Sequence, residues 1–394
     1  MSLLLLAPFL APAVAFDAEA TAAAARRDRI EADLRVLTGH ELTAAGAEPL
    51  VSRSVYHPDS DRAADWLVEA MAAIEGLQVR TETFEAVGQT GLRNVIGELV
   101  GAEPERPAVV LAAHYDSTAE LDPDPWEAAV DPAPGADDDA SGISAVLEAA
   151  RLLSAEPGGF SRTLRFVLFS AEEVGLVGST YRVEQLQATG ARVALALVLD
   201  PVGYDPGDGG ILWFSYDQRW SDAAESLEAA APDLAPELLV LGVDHETFGG
   251  DDRSDHFPYW QAGLPALHLG TFPQPPTYHT RADDLDVVDV DFVTAVSGFV
   301  AGHAGNLAGP PPQDEQASLL GCAAPPPGPT GAWVLIAGLL LVPCLTSSRG
   351  ESRRDRRRWQ GAATPSWPSH VKEPERSQRR RGQANRPRTC ETGD

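Results

Sequence analysis

Short apolar runs alternate with amphipathic segments over the first three hundred or so residues. "NVIGELVG" (94–101), "AVVLAAHYDS" (108–117), "TLRFVLF" (163–169) and "ARVALALVLD" (191–200) are brief, rich in Val and Leu, and read as strands. "GILWFS" (210–215) and "PALHLG" (265–270) are two further strand candidates. Helical spacing marks "DRAADWLVEAMAAI" (61–74), "ASGISAVLEAARLLSA" (140–155), the residues after the polar break in "SAEEVGLVGSTYRV" (170–183), and residues 290–306. Ahead of these, residues 17–48 carry Ile30, Leu34 and Leu37 at helical intervals and read as a surface helix leading into the body. Strands apolar on both faces with helices between them predict an α/β fold. The expected form is three layers, α/β/α, around a central mixed, mostly parallel sheet.

Polar residues fall at particular places in this pattern. His114 and Asp116 follow one apolar strand, Glu172 and Glu173 follow another, and Asp200 ends a third. Ligands of open α/β sheets bind beyond the carboxyl ends of the strands, so these side chains are expected to meet on one edge. "PGADDDASG" (134–142) adds Asp137, Asp138 and Asp139 side by side among small residues. Asp137, Asp139, Ser141, Gly142 and Glu148 match positions 1, 3, 5, 6 and 12 of a calcium-binding EF-hand loop. The preceding "DPAPG" (131–135), where a helix should enter, and Ser144 in place of a branched apolar residue argue against it. Alone, the triplet reads as a solvated acidic turn capping the helix at 140–153.

It is not alone. His114 lies in "AHYDS" and His279 in "PPTYHTRADDLD", and two imidazoles with several carboxylates suit Zn²⁺ or a similar first-row ion. Asp116 stands where it can accept from the other ring nitrogen of His114 and so fix its tautomer. The chain has no HExxH, no GxSxG, no GxxxxGK[ST] and no GxGxxG.

Charge removes one class of function. The formal net charge is -28, yet residues 348–394 carry 13 basic and 6 acidic side chains, leaving the rest at −35. A body that acidic repels phosphate backbones, so no nucleic-acid partner is expected. Cys322, Cys344 and Cys390 are the only cysteines, so residues 16–308 hold no disulfide and any metal there falls to His and carboxylates. "MSLLLLAPFLAPAVAF" has the apolar run and small-residue pattern of a signal peptide cleaved before Phe16. Residues 332–345 are apolar, follow a Pro-rich linker and Cys322, and precede an arginine cluster, as in bacterial sorting tags. They are short for a full membrane span, which takes about 17–25 residues.

Taken in order, "AHYDS", "GADDDASG", "SAEEVG", "LVLD" and "YHTRADDLD" resemble the motifs of the M28 peptidases, the secreted bacterial two-zinc aminopeptidases, over roughly residues 60–306. "RSDHFPYW" (253–260) is similar to a further motif of that family. The resemblance implies that Asp138 bridges two zinc ions per chain, with His114 and Asp200 completing one site and Glu173 and His279 the other. It implies Glu172 as general base, Asp116 as the residue orienting His114, and a cis Asp138–Asp139 bond. Neighbouring glutamates on a turn are expected to point apart, which leaves Glu172 free of the metals. Some secreted relatives carry a disulfide and a Tyr before the "SDH" element; here the stretch is "FGGDDRSDH", and Asp251 and Asp252 read as loop solvation. Glutaminyl cyclases share the scaffold and "HYDS" but have a less acidic segment and a Trp before the last ligand His. Tyr278 and the intact triplet point to hydrolysis instead.

The expected organisation is a signal peptide (1–15), a helical lead-in (16–60), a zinc peptidase domain (61–308), a Pro-rich linker (309–331), a short apolar segment (332–347) and a basic, disordered tail (348–394). The expected activity is metal-dependent hydrolysis of the N-terminal peptide bond of peptides with a free α-amino group. The alternatives are a glutaminyl-peptide cyclotransferase and a non-catalytic, metal-stabilised surface binding protein. The protein is expected to be an exported monomer, secreted or held at the bacterial envelope, whose apolar segment touches membrane or sorting machinery.

Overall fold

The computed structural model describes residues 15–44, 47–207, 210–248 and 250–312. Helices α1 (Ala18–Ala23), α2 (Arg27–Leu37) and α3 (Asp59–Ala72) lead into strands β1 (Gln78–Ala86), β2 (Gln89–Leu99) and β3 (Ala108–His114). Next come α4 (Gly142–Ser154), β4 (Leu164–Phe169), α5 (Val177–Thr189), β5 (Val193–Leu199), β6 (Ile211–Tyr216) and α6 (Ser221–Leu234). The fold closes with β7 (Leu239–Asp244), α7 (His245–Phe248), α8 (His256–Gln261), β8 (Ala266–Phe272) and α9 (Val290–Ala308).

The eight strands form one sheet in the order β1-β2-β4-β3-β5-β8-β6-β7. Its centre, β4, β3, β5 and β8, is parallel; the β1–β2 hairpin joins β4 antiparallel, and β6 joins β8 antiparallel. Successive side chains of a strand face opposite sides, and here each side has its own core. Val109, Leu111 and Ala113 of β3 enter one core with Leu195, Leu197 and Leu199 of β5, under α2, α3, α4, α6 and α9. Val110 and Ala112 enter the other with Ala196 and Val198, under α5 and α8. That double burial is why these strands read as unbroken apolar runs, and the mixed three-layer α/β/α expectation holds.

Departures have physical causes. Strand β1 is mostly exposed or half-exposed and β7 lies at the opposite edge, so neither shows a buried-strand pattern. The lead-in is two helices, α1 and α2, rather than one; α2 keeps Arg27, Asp28 and Ala32 exposed and buries Ile30, Leu34 and Leu37 in the larger core, where it packs on α4 and α9. Among the described residues no helix is long and apolar enough to cross a membrane. The signal peptide through residue 14, the linker from residue 313, the apolar segment and the basic tail lie outside the described residues.

The chain order also positions the site. Strand β4 lies on one side of β3 and β5 on the other, so the crevice at the carboxyl end of β3 is a topological switch point. His114 is the last residue of β3.

Candidate metal centre

The expected residues converge there. His114 Nε2 lies 3.0 Å from Asp138 Oδ1 and 3.4 Å from Asp200 Oδ1. His279 Nε2 lies 3.0 Å from Asp138 Oδ2 and 3.2 Å from Glu173 Oε2. The two oxygens of one carboxylate thus face two different imidazoles. Although the first contact is short, Asp138 Oδ1 has no hydrogen-bond partner, and neither does the buried Oε1 of Glu173. Donors about 2.0–2.2 Å from one tetrahedral cation stand roughly 3.3–3.5 Å apart, close to the spacings seen. Imidazole nitrogens and carboxylate oxygens suit Zn²⁺, and buried oxygens without hydrogen-bond partners are ones a cation would satisfy.

Backbone placement explains the triplet. Asp137 Oδ1 accepts the Gly203 amide at 2.7 Å, and Asp139 accepts the amides of His114 and Gly142. The outer two acids therefore answer backbone donors, and Asp138 alone turns to the histidines. The Asp138–Asp139 bond is cis. His279 itself, and Ala171 just before the glutamates, hold left-handed backbone, uncommon outside glycine. Three of the calcium-loop residues are thereby dispersed: Asp137 and Asp139 bind amides, and Glu148 pairs with Arg29 at 2.5 Å in a different part of the core.

Asp116 does something other than orient His114 with its carboxylate. Its backbone carbonyl accepts from His114 Nδ1 at 3.0 Å, while its carboxylate stands 3.8 Å away. Those oxygens instead accept the amides of Glu172 and Glu173, at 3.0 and 3.1 Å. The two glutamates do not diverge as expected; both place a carboxylate oxygen within 4.8 Å of a His114 ring nitrogen. What separates them is that Glu173 closes on His279.

Burial, reinforced by neighbouring acids, pushes the carboxyls of Glu172, Glu173, Asp137 and Asp139 well above their ordinary range. Burial works against charge on His279 too, but Glu173 and Asp138 overcome it and raise that imidazole to about 9. So concentrated an anionic site takes up positive charge, as protons or as metal.

One contributor to the site and one acid beside it have roles that were not read from the sequence. Asp283, inside the quoted "YHTRADDLD", accepts the amides of Asp137 and Asp138 at 2.9 and 3.0 Å. Its proximity to His279 was a signal; its target was not. Asp251 is buried, not solvated: it bonds His268 Nδ1 at 2.8 Å and receives the Ser215 hydroxyl. Asp252 is exposed.

The sequence model of peptidase family M28 matches residues 94–302, just over half of the chain. The chain belongs to this family. Among M28 relatives, the probable lipoprotein aminopeptidase LpqL of Mycobacterium tuberculosis is 30% identical over 54% of this chain and 44% of its own. Aminopeptidase YwaD of Bacillus subtilis is 32% identical over 49% and 40%. The chain thus spans less than half the length of these curated relatives. The Legionella pneumophila LapA aminopeptidase shares the fold, with a TM-score of 0.61 at 23% identity over 75% of each chain. So does a Bacteroides thetaiotaomicron glutaminyl cyclase, at 0.56 and 21% over 75% of this chain and 99% of that one. The shared fold therefore does not by itself choose between hydrolysis and cyclisation.

Proposed function

We propose that this chain is an exported two-zinc aminopeptidase that releases the N-terminal residue of peptides with a free α-amino group. The observation that carries the reading is Asp138, whose two oxygens each stand 3.0 Å from a different histidine. Asp138 would be shared by the two donor groups that hold the ions, His114 and Asp200 belonging to one and Glu173 and His279 to the other. Cations held there would supply a water of lowered pKa and would polarise a scissile carbonyl.

The remaining work belongs to side chains. Glu172, buried beside His114 with its amide fixed by Asp116, takes the proton of the attacking water and returns it to the departing amine nitrogen. Asp116 holds both glutamates in place and does not exchange protons with substrate. The acids around the site attract a substrate ammonium group, which favours peptides with an unblocked N-terminus.

Elemental analysis of the purified protein, with two assays beside it, tests the reading. Two zinc ions per chain and turnover of an aminoacyl chromogenic amide are expected. One ion with cyclisation of an N-terminal Gln peptide would favour the cyclotransferase, and two ions without turnover would favour the binding protein. Calcium alone would overturn the zinc assignment.

A further inference from the structure

Arg53 is fully buried, and it heads the fully buried side chains by volume among the described residues. Its guanidinium bonds four backbone carbonyls. Nε donates to Tyr115 O at 2.8 Å, Nη1 to Leu37 O at 2.8 Å and to Pro134 O at 2.5 Å, and Nη2 to Gly135 O at 2.9 Å. Its own amide donates to Ser117 Oγ, which donates in turn to Ala133 O. All four guanidinium partners are neutral. A buried cation without an anion in contact is expensive unless a nearby field compensates it. Asp283, Asp139, Asp138 and Asp116 supply that field through space.

The choice of carbonyls is informative. Tyr115 lies between His114 and Asp116, while Pro134 and Gly135 lead directly into the acid triplet. Gly135 sits at φ +55, where a Cβ would stand 2.9 Å from Arg53 Nη2 and 2.4 Å from Asp138 O. Only glycine lets the guanidinium and the turn approach so closely. From the other side, Asp283 takes the amides of Asp137 and Asp138. The triplet is clamped by carbonyls on one flank and by amides on the other, and the third grip, on Leu37, ties the clamp to the end of α2.

We propose that Arg53 is a positioning residue, which sets His114 and Asp138 in place for cations by gripping the backbone of both segments. This rests on reading those two residues as metal ligands. It differs from two simpler roles in the sign of one measurement. If Arg53 served only as counter-charge, deleting its charge would tighten cation binding; if it only filled space, affinity would not change. Positioning demands that affinity fall.

The test uses the full chain carrying Arg53→Met or Arg53→Lys, with zinc affinity measured by chelator competition on protein shown to be folded by circular dichroism. Arg53→Met should bind zinc about 10–100-fold more weakly, the range for residues that orient metal ligands. Arg53→Lys keeps the charge but cannot fork to four carbonyls, so it should fall between Arg53→Met and wild type. Zinc should raise the unfolding midpoint of either variant by less than that of wild type. Should Arg53→Met fail to fold without zinc, Arg53→Lys decides, because both simpler roles leave its affinity unchanged. Unchanged or tighter zinc binding by a folded variant overturns the proposal. Wild type that binds no zinc would sink the metal-centre reading itself, whereas wild type and both variants binding two ions equally tightly would sink only the role of Arg53.

Discussion

Two buried clusters of histidine and carboxylate lie on either side of Asp200, and they differ in what their nitrogens face. In one, His114 and His279 point at opposite oxygens of Asp138, and buried oxygens remain unpartnered. In the other, Asp251, His256 and His268 also bring donor atoms within 4.8 Å of one another. Here, however, the rings of His256 and His268 stack, 4.6 Å between centroids and 13° between planes. An imidazole lone pair lies in its ring plane, so nearly parallel stacked rings cannot aim at one ion. His268 is also fully engaged, donating from Nδ1 to Asp251 Oδ2 at 2.8 Å and from Nε2 to the Asp200 carbonyl at 2.7 Å. Burial opposes charge on that ring, yet Asp251 raises it to about 9. Residue type and proximity are alike in the two clusters. His256 Nδ1 is also unpartnered, so it is ring orientation and the engagement of both His268 nitrogens that make one a candidate metal centre and the other a buried ion pair holding the loop before "SDH".

Breaking the first cluster should have the largest effect. Asp138→Asn removes the shared anion, so zinc should fall from two ions per chain to one or fewer, and kcat/KM by about 10⁴-fold or more. Plasma emission analysis and the chromogenic amide assay read both. Glu172→Gln should come next, with two zinc ions retained and kcat reduced about 10²–10⁴-fold. Near-normal turnover by that variant would take the base role from Glu172.

How much of this was legible depends on where each residue sits. The doubly buried strands β3, β4 and β5 carry their signal in composition, and the ligands at their ends could be placed on one edge by topology alone. Exposed β1 and edge strand β7 carry little of that signal. Asp138 could be separated from Asp137 and Asp139 only by family resemblance, because three identical neighbours have identical local chemistry. Backbone amides distinguish them, and those come from Gly203, His114 and Gly142. Asp251 looked like any acid in a Gly-rich loop, since its partner His268 lies 17 positions away on β8. Arg53 was invisible for a similar reason: carbonyls leave no mark on sequence.

The second cluster gives the next prediction. Asp251→Asn should leave the zinc count at two while destabilising the fold by about 3 kcal/mol, at the low end for a broken buried pair because imidazole can release its proton. Thermal unfolding should show a midpoint lower by about 5–10 °C. A drop to one zinc ion would erase the distinction between the clusters.

His303 sharpens the comparison as a histidine in neither cluster. It is buried in α9, its Nε2 has no partner, and burial alone lowers its pKa to about 4. A group whose folded-state pKa lies below the ordinary 6.5 contributes stability above that pH and loses it as pH falls toward 4. His268 has the opposite sign: raised to about 9, its contribution is complete below pH 6.5 and is lost as pH climbs through 9. Acid also protonates the carboxylates of the metal centre, so wild-type stability alone would not isolate His303. The difference between wild type and His303→Leu does, because those carboxylates cancel. Urea unfolding at pH 7 and pH 4.5 should show the variant gaining about 2 kcal/mol relative to wild type at the lower pH. An equal offset at both values would mean that the His303 ring already reaches water or an unseen acceptor, and that burial without a carboxylate does not hold a histidine neutral in this core.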